Sequence, residues 1–285
     1  MTERKTFGLS EIWAAMATRR PIIRIDSLDD PRVALYRDLK DRELDRSGKF
    51  FIAEGEYIVR RLLESDFPVE SVLLAERRVD QIAPLVPEPI PVYVTPPEQM
   101  QRILGMKFHS GVIACGKRKP PMTLDQVLPP PDRAPRRMTI VVLPDISNVE
   151  NLGSLIRIAA GFGADALILG EHSHDPFWRQ SIRVSMGTIF RMPLVRSQDL
   201  LRDLGRLKDE WHFELIGTVL DPRSQPLAEA RGSDRIALLF GGEAQGLSQE
   251  IVQICDRSVT IPMQLGTDSL NVAVAAGIFL YHFTL

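Results

Sequence analysis

Four short runs constrain the chain most: Ile140–Leu143, Ala166–Leu169, Leu215–Val219 and Ile236–Phe240, each separated from the next by a stretch of helical spacing. Apolar runs of strand length are what parallel sheets buried on both faces require. Their alternation with helices predicts a doubly wound α/β domain. A dense cluster of prolines (Pro120, Pro121, Pro129, Pro130, Pro131, Pro135) precedes this region. Proline removes a backbone donor and fixes φ, so 120–136 is expected to be a stiff connector. It divides the chain into a part near 21–119 and a part near 137–285.

The first part alternates as well. Helical spacing is expected over 31–46 (Val33, Tyr36 and Leu39 on one face), Glu56–Leu63 and Glu98–Leu104, with strands near Phe50–Ile52, Val69–Leu74, Pro91–Val94 and Gly111–Cys115. That is a small α/β domain. Residues 1–20 read as a tail with basic character (Arg4, Lys5, Arg19, Arg20, with Arg24 just beyond). The segment lacks the continuous apolar core of a signal peptide, because Glu11 falls early.

The 285 residues fit two domains, and 44% apolar with 25% charged residues is the balance of a globular protein. Net charge is −2, so any surface for a polyanion has to be local. The two cysteines, Cys115 and Cys255, lie too far apart for a zinc cluster or a disulfide framework and suit a reducing cytoplasm. No stretch is apolar for long enough to span a bilayer. His172, His174 and the other histidines form no ligand spacing, so no metal is expected.

Three constellations carry chemistry. Asn148-Val-Glu-Asn151-Leu-Gly153-Ser-Leu-Ile-Arg157 follows the first strand of the second part. Asn151 is read as the helix cap, Gly153 as a point of close approach, and Arg157 as brought with Asn151 to the helix end near the strand's carboxyl edge, where open α/β sheets bind ligands. Phe240-Gly241-Gly242-Glu243-Ala244-Gln245-Gly246-Leu247-Ser248 follows another strand, lets backbone approach a ligand, and lacks the spacing of the dinucleotide fingerprint. Ser248 can cap the next helix. Ile261-Pro262-Met263 and Gly266 lead to Ser269-Leu270-Asn271, two polar groups at the mouth of the small apolar helix Val272–Gly277.

Together these segments resemble the SpoU (TrmH-type) branch of the SPOUT methyltransferases. The family's NxGxxxR is present as Asn151, Gly153 and Arg157, its GGExxGL as Gly241 to Leu247, and its third motif as IPM followed by SLNVAVAAGI. Arg183-Val-Ser185-Met-Gly187 fits a stretch that the family places between the first two motifs. Val149, Ile158 and Ala244 depart from its common pattern, and Ala244 could reshape the cofactor loop. The first part resembles the substrate-binding domain often found ahead of such catalytic domains, through Asp30–Val33, Phe50–Gly55 and His109–Val112.

The resemblance implies a trefoil-knotted α/β domain preceded by a small α/β substrate-binding domain, and a homodimer. It implies S-adenosyl-L-methionine held in a bent shape by the loops at Phe240–Gly246, Ile261–Gly266 and Ser269–Asn271. The expected reaction is methyl transfer to a ribose 2′-hydroxyl of tRNA or rRNA. Arg157 is assigned to the reacting hydroxyl, Asn151 and Ser269 to orienting it, and Glu243 and Asn271 to shaping the pocket. Leu239, Gly241, Gly242, Gly246, Ile261, Met263, Ser269 and Leu270 are expected to hold the cofactor. Arg179, Arg183, Lys117 and Arg118 are expected to meet RNA phosphates, with Arg191 and Arg196 in the same acid-free interval. Base methylation, a silent RNA-binding module and, more distantly, a nicotinamide-dependent oxidoreductase are the competing readings.

Overall fold

A computed structural model describes residues 22–37, 39, 48–243 and 245–284. The basic tail, the end of the helix expected over 31–46 and Ala244 lie outside the described residues. The chain divides after Lys119 into two compact units.

The first unit is a five-stranded mixed sheet. Its strands are β1 (Ile22–Arg24), β2 (Phe50–Glu54), β3 (Val69–Ala75), β4 (Val92–Thr95) and β5 (Val112–Lys117), in the order β1-β4-β3-β5-β2. β1, β4 and β3 run parallel, and β5 runs antiparallel to β3 and β2. The helices are α1 (Glu56–Leu63), α2 (Val79–Ile82) and α3 (Pro97–Leu104). Residues 31–36 form a 3-10 helix rather than an α-helix, and Arg37 is already extended. Asp30 caps it by accepting from the Arg32 amide at 2.9 Å, and Tyr36 is buried with its hydroxyl donating to the Ser71 carbonyl at 2.9 Å.

The second unit holds a seven-stranded, all-parallel sheet: β6 (Met138–Leu143), β7 (Ala166–Leu169), β8 (Leu194–Arg196), β9 (Glu214–Thr218), β10 (Gln225–Pro226), β11 (Arg235–Leu239) and β12 (Arg257–Thr260). The order is β10-β12-β9-β11-β6-β7-β8. Its helices are α4 (Leu124–Val127), α5 (Val149–Gly161), α6 (Arg179–Val184), α7 (Leu200–Asp209), α8 (Gln249–Ile254) and α9 (Val272–Thr284). The four apolar runs of the sequence are the four adjacent central strands β9, β11, β6 and β7, and their interior residues are buried. The chain leaves β6 through α5 towards β7 and leaves β11 through α8 towards β12, on opposite sides of the sheet order. Such a switch point opens a crevice at the carboxyl edge.

The proline-rich stretch is not the connector expected. It belongs to the second unit, where Leu124 and Leu128 are buried in the same cluster as Trp211. The Trp211 indole donates to the Pro129 carbonyl at 2.8 Å, and Arg206 holds Asp125 at 2.8 Å. The prolines flank α4 instead of interrupting it, and Thr123 with Gln126 closes a capping box at its start.

Both cysteines are free. Burial pushes the Cys115 and Cys255 thiols up to about 12, so both stay protonated and unreactive at neutral pH. Among the described residues no helix is long and apolar enough to cross a membrane.

Candidate active site

The turns that follow β6 and β11 lie against each other at the switch point. A side chain at Gly242 would overlap the Asp145 carbonyl oxygen, so only glycine permits the approach. Gly241 is equally constrained by the backbone of Gly246 and Leu247, and Gly246 has φ +65° and donates to the Gly242 carbonyl at 3.0 Å. The loop therefore folds back on itself before Ser248 caps α8 by accepting from the Ile251 amide at 3.3 Å.

α5 is capped by Asn148, not by Asn151. The Asn148 side chain accepts from the amides of Glu150 and Asn151 at 2.8 and 3.0 Å, while its own backbone is extended. Asn151 sits in the first turn with its amide free for other work. It donates to Glu243, and its oxygen accepts from Asn271 at 3.0 Å. Asn271 in turn accepts from the Ala273 amide at 2.9 Å at the start of α9. One hydrogen-bonded chain thus joins all three motifs, Glu243–Asn151–Asn271. Gly153 does serve close approach: a Cβ there would lie 2.7 Å from the Ser181 carbonyl and 2.9 Å from Val184 of α6. The Ser181 hydroxyl seats the same turn by donating to the Val149 carbonyl at 2.8 Å.

Beside this chain lies a cavity of about 640 Å³, within the range of small-molecule sites. Gly241, Gly242, Glu243 and Gly246 form one wall. Ile261 and Met263 line it from the segment after β12, and Ser269, Leu270 and Asn271 from the approach to α9. Leu239 is absent from the lining. It is fully buried in β11, and its carbonyl accepts from the Thr218 hydroxyl at 2.9 Å.

The sequence reading missed Thr218, Leu220 and Asp221, which line the cavity from the end of β9, and Val272, Ala275 and Phe279 of α9. A signal existed for the first group: a hydroxyl and a carboxylate at the end of a central parallel strand stand where ligands bind.

Arg157 is exposed, lies off the cavity lining, and has no hydrogen-bond or ion-pair partner among the described residues. It does not share the helix end with Asn151. Six helical residues separate them by about 9 Å along the axis and about 120° around it. The basic residues divide similarly. Arg183 is exposed and has no partner among the described residues. Arg196 is a structural clamp, donating to the carbonyls of His174 and Glu171 at 3.0 and 3.1 Å. In the first unit Lys117 pairs with Glu70 at 2.6 Å, Lys119 pairs with Asp66 at 2.6 Å, and Arg118 donates to the Phe50 carbonyl at 3.2 Å.

Comparison with known proteins agrees with this architecture. The SpoU rRNA Methylase family model matches residues 138–281. A Mycobacterium tuberculosis protein named as an uncharacterised tRNA/rRNA methyltransferase is 38% identical over 264 residues, covering 90% of this chain and 89% of its own. The 23S rRNA (guanosine-2′-O-)-methyltransferase RlmB of Acinetobacter baylyi is 30% identical, covering 72% and 83%. The crystal structure of the SpoU methyltransferase AviRb from Streptomyces viridochromogenes in complex with AdoMet superposes with a TM-score of 0.73 at 25% identity, covering 90% of this chain and 98% of that one. The fold, the three motifs joined by one hydrogen-bonded chain beside a cavity and these relationships lead to one conclusion: the chain belongs to the SpoU methylase family.

Proposed function

We propose that this protein transfers the methyl group of S-adenosylmethionine to a ribose 2′-hydroxyl of tRNA or rRNA. The carrying observation is that the second and third motif segments line one cavity and that the Glu243–Asn151–Asn271 chain ties the first motif to them. The residues fit the cofactor. Gly241 and Gly242 bring backbone to the cavity where side chains would fill it. Leu247, Ile261, Leu270 and Phe279 offer apolar surface to a nucleoside, and among the described residues the only charged ones on the wall are acids, which suits a ligand of net positive charge. When bound, the cofactor supplies an electrophilic methyl carbon.

The rest of the work is positioning and charge. Ser269 and Asn151 orient the ribose, Glu243 and Asn271 hold Asn151, and Arg157 stabilises the alkoxide that develops as the hydroxyl gives its proton to solvent. A guanidinium is always charged near neutrality, so electrostatic stabilisation is the role its chemistry favours. Arg183 and Arg179 on α6 meet phosphates, and the first unit, with Lys117 and Arg118, binds the RNA body. RlmB and AviRb are named for chemistry and a ligand of this kind.

The test is incubation with labelled S-adenosylmethionine and total RNA from a strain lacking the gene, followed by digestion to nucleosides. A labelled 2′-O-methylnucleoside is the expected product. Label on a base would replace the ribose assignment, and cofactor binding without transfer to any RNA fraction would favour a silent RNA-binding module.

The reading extends to a homodimer. α9 is apolar nearly all the way round, a pattern that calls for burial, yet Val274, Ile278 and Tyr281 are 52, 40 and 61% exposed. A second copy is the cover this stripe suits. The native protein is expected at twice the 32.0 kDa chain mass by light scattering, and Val274→Asp with Ile278→Asp at the single-chain mass. A native protein that is monomeric at micromolar concentration would exclude the dimer. The trefoil knot belongs to the same reading, supported by α9 packing on α5 after β12 while Ile261, Met263, Ser269, Leu270 and Asn271 line the cavity. Two free thiols, Cys115 buried and Cys255 half-buried, suit a reducing cytoplasm.

A further inference from the structure

Among the described residues the charges on the cavity wall are all of one sign. Asp221 and Glu243 line it, and none of the described lining residues is a lysine, arginine or histidine. Glu243 is bound by Asn151 within the motif chain. Asp221 stands apart, in a turn after β9 that no sequence motif covers. Its carboxylate accepts from the Arg223 amide at 2.9 Å and from the Arg223 guanidinium at 3.0 and 2.8 Å. The Ser224 amide closes the turn by donating to the Asp221 carbonyl at 3.0 Å. Hydrogen bonds from Arg223 hold the Asp221 carboxyl below the usual carboxylate range, so it is ionised at neutral pH.

The two side chains of this pair differ in setting. Arg223 is 90% exposed and projects into solvent, whereas Asp221 is 38% exposed and reaches the cavity wall. Exposed ion pairs contribute little. Asp221 can therefore take a cation in the cavity as a second partner, or exchange one for the other, without a large loss.

S-adenosylmethionine carries a sulfonium, an ammonium and a carboxylate, for a net charge of one positive unit. Once the methyl group has left, the sulfur is a neutral thioether and the molecule has no net charge. Resting on the methyl-transfer reading, we infer that Asp221 is a specificity-determining residue that makes the cavity favour the cationic cofactor over its neutral product. The two ligands share nearly all their shape, so apolar contacts and backbone hydrogen bonds discriminate weakly between them. A carboxylate on the cavity wall senses the one feature that changes most in the reaction. It favours loading of fresh cofactor and release of the spent one.

The test is calorimetric binding to the full chain, without RNA, of S-adenosylmethionine, S-adenosylhomocysteine and sinefungin, whose amine places a positive charge where the sulfonium was. The native protein is expected to bind the two cationic ligands more tightly than the neutral one. Asp221→Asn should weaken the cationic ligands about tenfold, the scale of one charge-assisted contact, and the neutral ligand less than about twofold. Asp221→Glu should keep the preference, and Arg223→Ala, which frees the carboxylate from its competitor, should tighten the cationic ligands. Equal weakening of charged and neutral ligands in Asp221→Asn, or no change in either, overturns the role of Asp221 while leaving the methyl-transfer reading intact. Failure of the native protein to bind any of the three overturns both.

Discussion

Replacing Arg157 with alanine is expected to lower kcat by about 10²–10³, the cost typical of removing one preorganised donor to a developing oxyanion, with cofactor affinity unchanged. The structural grounds are specific. Arg157 is exposed in the middle of α5, off the cavity lining, and has no partner among the described residues. A charge held on a well-seated helix beside a ligand cavity, with nothing among the described residues to neutralise it, is suited to a group that arrives with the substrate. The helix itself is fixed by the Asn148 cap and by the close approach at Gly153, so the guanidinium is carried on a rigid element. Alanine at an exposed helical position is favourable for the helix, and surface changes of this kind shift stability by about 0.5 kcal/mol or less. A loss of turnover would therefore report chemistry rather than folding. Arg157→Lys sharpens the reading, because lysine keeps the charge and loses the planar fork. The measurement is turnover at saturating cofactor and RNA, with cofactor binding measured separately. Near-native kcat in the lysine variant would remove the guanidinium-specific role, and near-native kcat in the alanine variant would falsify the assignment altogether.

The central strands were legible because β6, β7 and β11 are apolar along their buried length, the pattern a sheet covered on both faces imposes. The edge strands β8 and β10, and β12 beside β10, were not. Each is short, and Arg196, Gln225 and Arg257 break any apolar run. The three motif segments were legible as motifs, and their meeting through the Glu243–Asn151–Asn271 chain followed from their positions after strands. What sequence could not resolve was local geometry. Asn148 and Asn151 are equally good caps on paper, and only the extended backbone at Asn148 decides between them. Asn151 and Arg157 share a motif and not a helix end, because motif spacing records function and helix periodicity records place. The proline-rich segment misled for a related reason. Leu124 and Leu128 stand one helical turn apart between the prolines, and that apolar pair anchors the segment to the core. Thr218 and Asp221 belong to no motif, so their place at the end of a central strand was the one signal, and the cavity gives it meaning.

Gly241→Ala is expected to abolish measurable cofactor binding, a loss of about 100-fold or more, on the physical ground that a close-packed site tolerates an added methyl poorly. The added carbon would overlap the Gly246 carbonyl carbon and the Leu247 amide nitrogen. These are backbone atoms, so no rotamer change relieves the clash. One side of the loop cannot give way easily. The Phe240 amide donates to the Val142 carbonyl at 3.0 Å, and the Leu239 carbonyl accepts from Thr218 at 2.9 Å, both within the central sheet. The strain must then open the fold-back between Gly242 and Gly246, which forms the cavity wall. Overpacking of this kind costs about 1–3 kcal/mol. Spread over a domain of this size it should lower Tm by only about 3–10 °C, so the protein stays folded while its cavity deforms. Gly161→Ala supplies the control. That glycine ends α5, nothing lies within 4 Å of where its Cβ would be, and alanine there should leave binding intact and stability equal or slightly higher. The contrast separates general sensitivity to a methyl group from sensitivity at the one turn where backbone meets backbone. Cofactor affinity within about threefold of native in Gly241→Ala, against a loss of this expected size, would mean that the loop yields or that the cofactor sits elsewhere. The placement of the active site at the β6–β11 switch point would then have to be abandoned.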